Sequence, residues 1–282
     1  MDKPSKRQEF FLVGKNCADI AREEAKRINK DRYQHYLGHA CQNLLIASEQ
    51  ATSLPLTDRH KREEFFMLYQ TLPGWIESQR DMQRASDHNI HLTHEERDRI
   101  VEKCSKFNDT LREVFNRWGQ YITPRDVLHQ LNNMIPFASR EYYREAMEGV
   151  ITGIRTEMLA ELALTNMGIQ TERATPEQDA KGIDYNVYID DDWISIDIKT
   201  SQRNADNANT RNAFHGDNVV AICPFSRHTL NKIPTILPKD PYGQMLEPAR
   251  EMLGEMFRLG IVSREECLKI RNELVQQESI YV

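Results

Sequence analysis

The sequence predicts a mixed α/β domain that follows an all-helical N-terminal domain. Two observations support this division. The first 145 residues carry apolar side chains mostly at helical spacing, whereas residues 184–199 alternate apolar and polar side chains with a period of two. We therefore expect a helical domain over residues 1–145 and an α/β domain with additional C-terminal helices over residues 146–282.

The clearest helix of the N-terminal domain covers residues 94–118. Thr93 and Glu96 have the spacing of a capping box, which marks its start. Apolar residues then follow one face, namely Ile100, Cys104, Phe107, Leu111, Phe115 and Trp118. Aromatic residues at this spacing indicate a packed core more often than a base-stacking surface. Target recognition, assembly as a dimer and binding of another protein are all open as roles for this domain.

The α/β domain begins with a helix and a first strand. Residues 147–167 carry apolar side chains at helical spacing, and Gly168 is expected to end this helix as its C′ residue. Glu157 and Glu161 lie on it one turn apart. Residues 169–175 suit a strand, and residues 176–182 suit a loop.

A β-hairpin is predicted next, from two runs with period-two alternation. Its apolar face carries Tyr185, Val187, Ile189, Ile194, Ile196 and Ile198. Three aspartates, Asp190–Asp192, form the turn between the runs. Closing the hairpin there brings Asp184 level with Asp197, where cross-strand neighbours lie roughly 5 Å apart. Lys199 shares the face of Asp197, because alternate strand residues point the same way.

Two carboxylates beside a lysine suit metal-assisted hydrolysis of a phosphodiester. Mg²⁺ takes oxygen ligands and keeps several waters, so Asp184 and Asp197 suffice, with the carbonyl of Ile198 as a third ligand. Mn²⁺ is expected to substitute. Lys199 would orient the attacking water and offset negative charge in the transition state. Glu157 would bind the metal directly or through water.

This stretch resembles the PD-(D/E)XK, or restriction-endonuclease-like, nuclease superfamily. Asp184 matches the aspartate of the PD element, with Ile183 in place of the proline, and Asp197, Ile198 and Lys199 match the (D/E)XK element. Glu157 matches the glutamate of the preceding helix. The resemblance covers roughly residues 145–226. It implies an α+β mixed-sheet nuclease core with Glu157, Asp184, Asp197 and Lys199 as its catalytic residues.

The segment after the hairpin is rich in amides and arginines, and we interpret residues 201–215 as a loop. Such side chains hydrogen-bond base edges and phosphates. The residues expected to contact nucleic acid are Gln202, Arg203, Asn209 and Arg211. A solvated loop without function has the same composition. Residues 218–225 then suit a buried strand, and residues 244–259 suit a helix that Gly260 ends. Ser263 and Glu266 mark the start of a last helix.

Composition excludes several classes of protein. A net charge of −6, from 37 basic and 43 acidic residues, argues against a protein that coats nucleic acid non-specifically. No apolar run is long enough to cross a membrane. Five scattered cysteines without a C-x-x-C pair argue against a zinc ribbon or an iron–sulfur cluster and favour a reducing, cytoplasmic location.

The expected function is Mg²⁺-dependent hydrolysis of DNA by a homodimer, as in a restriction, phage or defence endonuclease. Two alternatives stay open. One is a nuclease that cleaves RNA with the same metal site. The other is a catalytically silent module that binds nucleic acid on the same fold.

Overall fold

The computed structural model describes residues 56–118, 124–134, 137–179, 181–233 and 242–280. Within these ranges it contains nine helices and a four-stranded mixed sheet, so the predicted combination of helices with a mixed sheet is observed. The helices expected before residue 56 lie outside the described residues. No helix in the described ranges is long and apolar enough to cross a membrane.

The chain divides into two compact units, Met1–Ile151 and Thr152–Val282. The sequence predicts a boundary between residues 145 and 146. The described elements of the first unit are α1 (Leu56–Asp87), α2 (His94–Trp118), α3 (Pro124–Met134) and the first half of α4 (Phe137–Asn166). The second half of α4 belongs to the second unit.

Helix α2 begins as the sequence predicts. The backbone N–H of Glu96 donates to the Thr93 hydroxyl at 3.3 Å, and the backbone N–H of Thr93 donates to the Glu96 carboxylate at 2.8 Å. This reciprocal pair is a capping box. Phe107 and Leu111 are fully buried. For these residues the prediction of a packed core, in preference to a stacking surface, is confirmed.

Trp75 is a core residue of the first unit. Its side chain is fully buried, and its ring centroid lies 5.4 Å from that of Phe107 and 6.3 Å from that of Tyr143. We expect Trp75→Ala to lower the free energy of unfolding of this unit by about 3–5 kcal/mol, because a large cavity replaces the ring. Urea denaturation followed by circular dichroism measures the loss. Met82→Ala, at an exposed position of the same helix, is the control; a loss of equal size there would contradict the assignment.

The second unit is built around the mixed sheet. After α4, its elements are β1 (Gln170–Arg173), α5 (Pro176–Asp179), β2 (Tyr185–Ile189), β3 (Asp192–Ile198), α6 (Gln202–His215), β4 (Val219–Ile222), α7 (Arg227–Lys232), α8 (Tyr242–Arg258) and α9 (Arg264–Ile280). The strand order is β1-β2-β3-β4. β2 is antiparallel to both neighbours, whereas β3 and β4 are parallel. Helix α6 therefore forms the crossover between two parallel strands.

The predicted hairpin is confirmed in the pairing of β2 with β3. Asp190 and Asp191 have φ of 52° and 65°, so both central residues of the turn are left-handed, as a two-residue type I′ turn requires. Aspartate tolerates this region better than most residues. The turn sets the register, in which Tyr185 pairs with Ile196 and Ile189 pairs with Asp192.

The two faces of the sheet have different coverings. Tyr185, Val187, Ile196 and Ile198 pack in one large apolar cluster with residues of α4, α8 and α9. On the opposite face, Ala205 and Ala208 of α6 pack against Ala221 of β4. The sheet is thus the middle layer of three, and the side chains of β3 point alternately into the large cluster and toward the α6 side.

The remaining predicted helix ends also match. Gly168 follows α4 with a φ of +72°, and Gly260 follows α8 with a φ of +73°. The backbone N–H of Glu266 donates to the Ser263 hydroxyl at 3.2 Å, so Ser263 caps α9. Six apolar residues of α8 are buried in the large cluster, so this helix covers the sheet.

Candidate metal-assisted hydrolase site

Asp184 and Asp197 are neighbours across the hairpin. The pairing of Tyr185 with Ile196 makes the two aspartates the next opposed pair, and the Asp184 N–H donates to the Ile196 carbonyl at 2.9 Å. The Asp184 carboxylate in turn accepts the Ile198 N–H at 2.5 Å. The N–H and C=O of a strand residue point toward the same neighbouring strand. Ile198 therefore directs its main chain toward the Asp184 carboxylate.

Lys199 lies against the second aspartate. Its Nζ atom is 2.6 Å from Oδ1 of Asp197, whose side chain is only 4% exposed, while the lysine side chain is 30% exposed. The Lys199 N–H donates to the Ile222 carbonyl at 2.7 Å, which holds the lysine to β4. The buried carboxylate thus has a partly exposed ammonium beside it, so the pair meets solvent through the lysine.

The environment of Asp184 disfavours its ionised form. Burial raises the pKa of Asp184 well above its ordinary value, and the nearby Glu157 carboxylate raises it further. Asp197 acts in the same direction, whereas the Ile198 N–H and Lys199 lower the pKa of Asp184. Two neighbouring carboxylates therefore disfavour the charge on Asp184 near a single lysine, an arrangement that a divalent cation would stabilise.

A carboxyl whose pKa is raised on folding binds its proton more tightly in the folded state, so stability falls as pH rises and the group ionises. We expect metal-free Asp184→Asn to unfold at a higher temperature than the wild type at neutral pH. The difference in unfolding temperature between the variant and the wild type should narrow as pH falls, because the wild-type carboxyl then becomes protonated. Thermal denaturation in EDTA between pH 5 and pH 8 tests this, with Asp192→Asn, exposed on the next strand, as the control. A gap that widens toward low pH would contradict the assignment.

Helix α4 brings Glu157 to this site through Tyr185. The Tyr185 hydroxyl donates to the Glu161 carboxylate at 3.1 Å and lies 3.4 Å from the Glu157 carbonyl oxygen. Because Tyr185 immediately follows Asp184, these bonds anchor α4 against the start of β2. The sequence does not reveal this function of Tyr185, because its position in the alternation indicates only a core residue.

The carboxylate oxygens of Asp184 and Asp197 fit a cation that needs few protein ligands. Among the described residues, no group of three or more His, Cys, Asp or Glu side chains converges as a complete metal-binding group. Asp184 and Asp197 are nevertheless opposed across the hairpin, and the Glu157 carboxylate raises the pKa of Asp184. Mg²⁺ is bound through one or two carboxylates and retains several waters. Asp184 and Asp197 meet that requirement, whereas a site that encloses the cation with protein ligands alone would need more.

The prediction of a loop over residues 201–215 is wrong, because residues 202–215 form helix α6. Ser201 caps its first turn, accepting the Asn204 N–H through its hydroxyl, and Gly216 ends it with a φ of 73°. Asparagine is a poor helix former, so composition favours a loop. Alanines at helical spacing face β4 and provide the packing that stabilises the helix.

The predicted nucleic-acid contact at Asn209 is also corrected. Its amide donates to the Ala221 carbonyl at 2.8 Å and accepts the Ala221 N–H at 2.7 Å. Asn212 likewise donates to the Val219 carbonyl at 2.9 Å. These side chains bind backbone N–H and C=O groups on the outer edge of β4. No further strand pairs with that edge in the described sheet. Asn209 therefore has a structural function, which leaves Gln202, Arg203 and Arg211 of the predicted contacts.

Gln202, three residues after Lys199, belongs to a polar cluster that the sequence does not predict. Its amide donates to Asp206 at 3.0 Å and to Glu255 of α8 at 3.5 Å. Arg258 binds Glu255 through two hydrogen bonds of 2.7 Å and 2.9 Å, and these lower the pKa of Glu255. Glu255 and Arg258 come from a distant part of the chain, and their i, i+3 spacing alone is typical of any solvated helix face.

No protein-family model, curated protein or solved structure matches this chain.

Proposed function

We propose that the chain is a Mg²⁺-dependent nuclease that hydrolyses phosphodiester bonds in DNA. One observation carries the proposal: Asp184 and Asp197 are opposed across the hairpin, and the Lys199 ammonium lies 2.6 Å from Asp197. Two carboxylates and an ammonium on one sheet face match what hydrolysis of a phosphodiester requires.

Each residue has a distinct task in this proposal. Asp184 and Asp197 would hold the cation, and the Ile198 carbonyl, on the same side of β3 as the bond to Asp184, would complete the protein ligands. Glu157 would bind through water. A bound divalent cation lowers the pKa of a coordinated water and stabilises negative charge on the phosphate.

Lys199 would then exchange its aspartate partner for the substrate. With Asp197 holding the cation, the Lys199 ammonium would hydrogen-bond the attacking water and a non-bridging phosphate oxygen. Its partial exposure leaves a path for the phosphate, and its attachment to β4 through the Ile222 carbonyl keeps its backbone fixed. Positioned charge of this kind acts mainly on the transition state.

Cleavage assays test the proposal directly. Supercoiled plasmid, linear duplex, single-stranded DNA and RNA are incubated with the wild type in Mg²⁺ or in EDTA. We expect DNA to be cut in Mg²⁺ and left intact in EDTA. Linear plasmid, as opposed to nicked circles, would indicate the paired cleavage expected of a homodimer. Cleavage of RNA alone would replace DNA as the substrate, and binding without cleavage in any metal would identify a silent module.

A further inference from the structure

The outer face of helix α6 carries an unusual set of side chains. Counting along the helix at 3.6 residues per turn places five residues on the side opposite the alanines that pack on β4. We call them the α6 stripe: Arg203, Asn207, Thr210, Arg211 and Phe214. All five are exposed.

Phe214 stands out within the α6 stripe. It is 85% exposed, the largest fraction among the exposed large hydrophobic side chains of the described residues. The His215 ring lies nearly perpendicular to it, with 5.3 Å between centroids. A single exposed hydrophobic residue is ordinary on a protein surface. Phe214 differs because it extends a row of cationic and amide side chains.

The charge of the α6 stripe is positive and uncompensated. In the part of the chain that the structure describes, neither Arg203 nor Arg211 forms an ion pair. Asp206 is the one acid on this helix, and its carboxylate accepts from Gln202 at 3.0 Å and lies 4.0 Å from Arg258. A chain with a net charge of −6 thus presents two unpaired guanidinium groups on one helix face.

The α6 stripe starts four residues after Lys199 of the proposed metal site. Helix α6 begins at Gln202, directly after Lys199 and its two following residues. At 1.5 Å per residue, Arg211 lies about 12 Å and Phe214 about 16 Å farther along the helix than Arg203. With 3.4 Å per nucleotide of a stacked strand, Phe214 lies about five nucleotides from the level of Arg203.

We propose that the α6 stripe binds a single-stranded segment of the nucleic acid next to the cleavage position. The proposal rests on the nuclease function proposed above. Arg203 and Arg211 hold phosphates about three to four nucleotides apart, and Phe214 stacks on an unpaired base. Guanidinium groups along a backbone together with an aromatic platform are the mode by which proteins bind single strands.

An unpaired base is favoured over a base in a duplex for an energetic reason. The faces of paired bases are covered by their neighbours, so a ring that inserts between them must overcome an unstacking cost of a few kcal/mol. An unpaired base offers its face without that cost. The amide and hydroxyl of Asn207 and Thr210 are short, so Phe214 projects beyond them toward such a base.

Binding titrations test the proposal on the full-length chain carrying Asp197→Asn, so that the strand is not cut. Labelled single-stranded DNA and blunt duplex of one sequence are titrated at several salt concentrations. We expect Phe214→Ala to weaken binding of the single strand by about 5- to 150-fold, the usual cost of one lost stacking contact. Binding of the duplex should change by less than about twofold, because no base face is free there. Phe257→Ala, at a partly exposed position of α8, is the matched control.

The same titrations test the two arginines of the α6 stripe and the position of the base that stacks on Phe214. Arg203→Ala with Arg211→Ala should reduce the salt slope for the single strand by about 1.4, since each phosphate contact accounts for about 0.7. Arg264→Ala with Arg271→Ala removes the same charge from exposed positions of α9 and should leave the slope unchanged. A scan with single abasic nucleotides should find one position at which Phe214→Ala no longer has an effect.

The outcomes separate this proposal from the nuclease function. Equal losses on both DNA forms, no loss on either, or a loss confined to the duplex would each overturn the single-strand proposal while leaving cleavage to be judged from the wild type. If the predicted losses are found but the wild type cuts nothing in Mg²⁺, the α6 stripe stands and the nuclease function does not.

Discussion

Asp197→Asn is expected to abolish Mg²⁺-dependent cleavage while leaving the fold intact. The substitution keeps the size of the side chain and an oxygen that accepts from Lys199, but it removes the charge that attracts the cation. Stabilisation by a metal ion is worth several kcal/mol, and each 1.4 kcal/mol is a factor of ten, so the rate should fall by about 10³-fold or more.

Plasmid cleavage measures the effect of Asp197→Asn, and calorimetric titration with Mg²⁺ measures the loss of metal binding. Asp192→Asn is a matched control, because Asp192 begins the same strand, is exposed and lies at the hairpin turn. Its activity should equal that of the wild type. Near-wild-type cleavage by Asp197→Asn in Mg²⁺ would remove Asp197 from the metal site, and circular dichroism checks that the variant is folded.

Lys199→Ala is expected to slow the chemical step by about 10²-fold or more while changing affinity for DNA much less. The loss of one positioned electrostatic partner has an effect of this size when the partner acts on the transition state. The change also leaves the Asp197 carboxylate buried without its ammonium, so the metal-free variant should be less stable than the wild type.

Single-turnover cleavage at saturating DNA separates these effects, since it measures the chemical step after binding is complete. Lys232→Ala, at an exposed position in α7, removes the same charge and serves as the control. A normal rate at saturation with weakened affinity would make Lys199 a phosphate anchor. The comparison is made in Mg²⁺ at a temperature where both variants are folded.

The sequence predicts those parts of the fold that local rules determine. The hairpin follows from alternation and from the aspartates between the two runs, of which Asp190 and Asp191 form the turn, and its register places Asp184 opposite Asp197 as expected. The cap at Thr93 and the glycines after α4 and α8 are also local signals, and each is confirmed. In these cases the residues that specify the structure lie within a few positions of one another.

The rest depends on contacts between distant segments. Helix α6 has the composition of a loop. The structural role of its amides depends on the pairing of Asn209 with Ala221 of β4. The cluster of Gln202 with Glu255 joins segments more than fifty residues apart. Spacing within a segment cannot predict such pairs, because they exist only after the sheet and α8 have packed.

The alternating faces of β3 also have a consequence for folding errors. A slip of one residue against β2 would turn Ile196 and Ile198 outward and force Asp197 and Lys199 into the apolar cluster. Burying those charges among isoleucine and methionine side chains would cost far more than the correct pairing gains. The alternation that places the carboxylate and the ammonium on one face of the sheet therefore also destabilises an incorrect strand register. A chain that pairs these strands in the wrong register is unstable, so the molecules that complete folding have an assembled site.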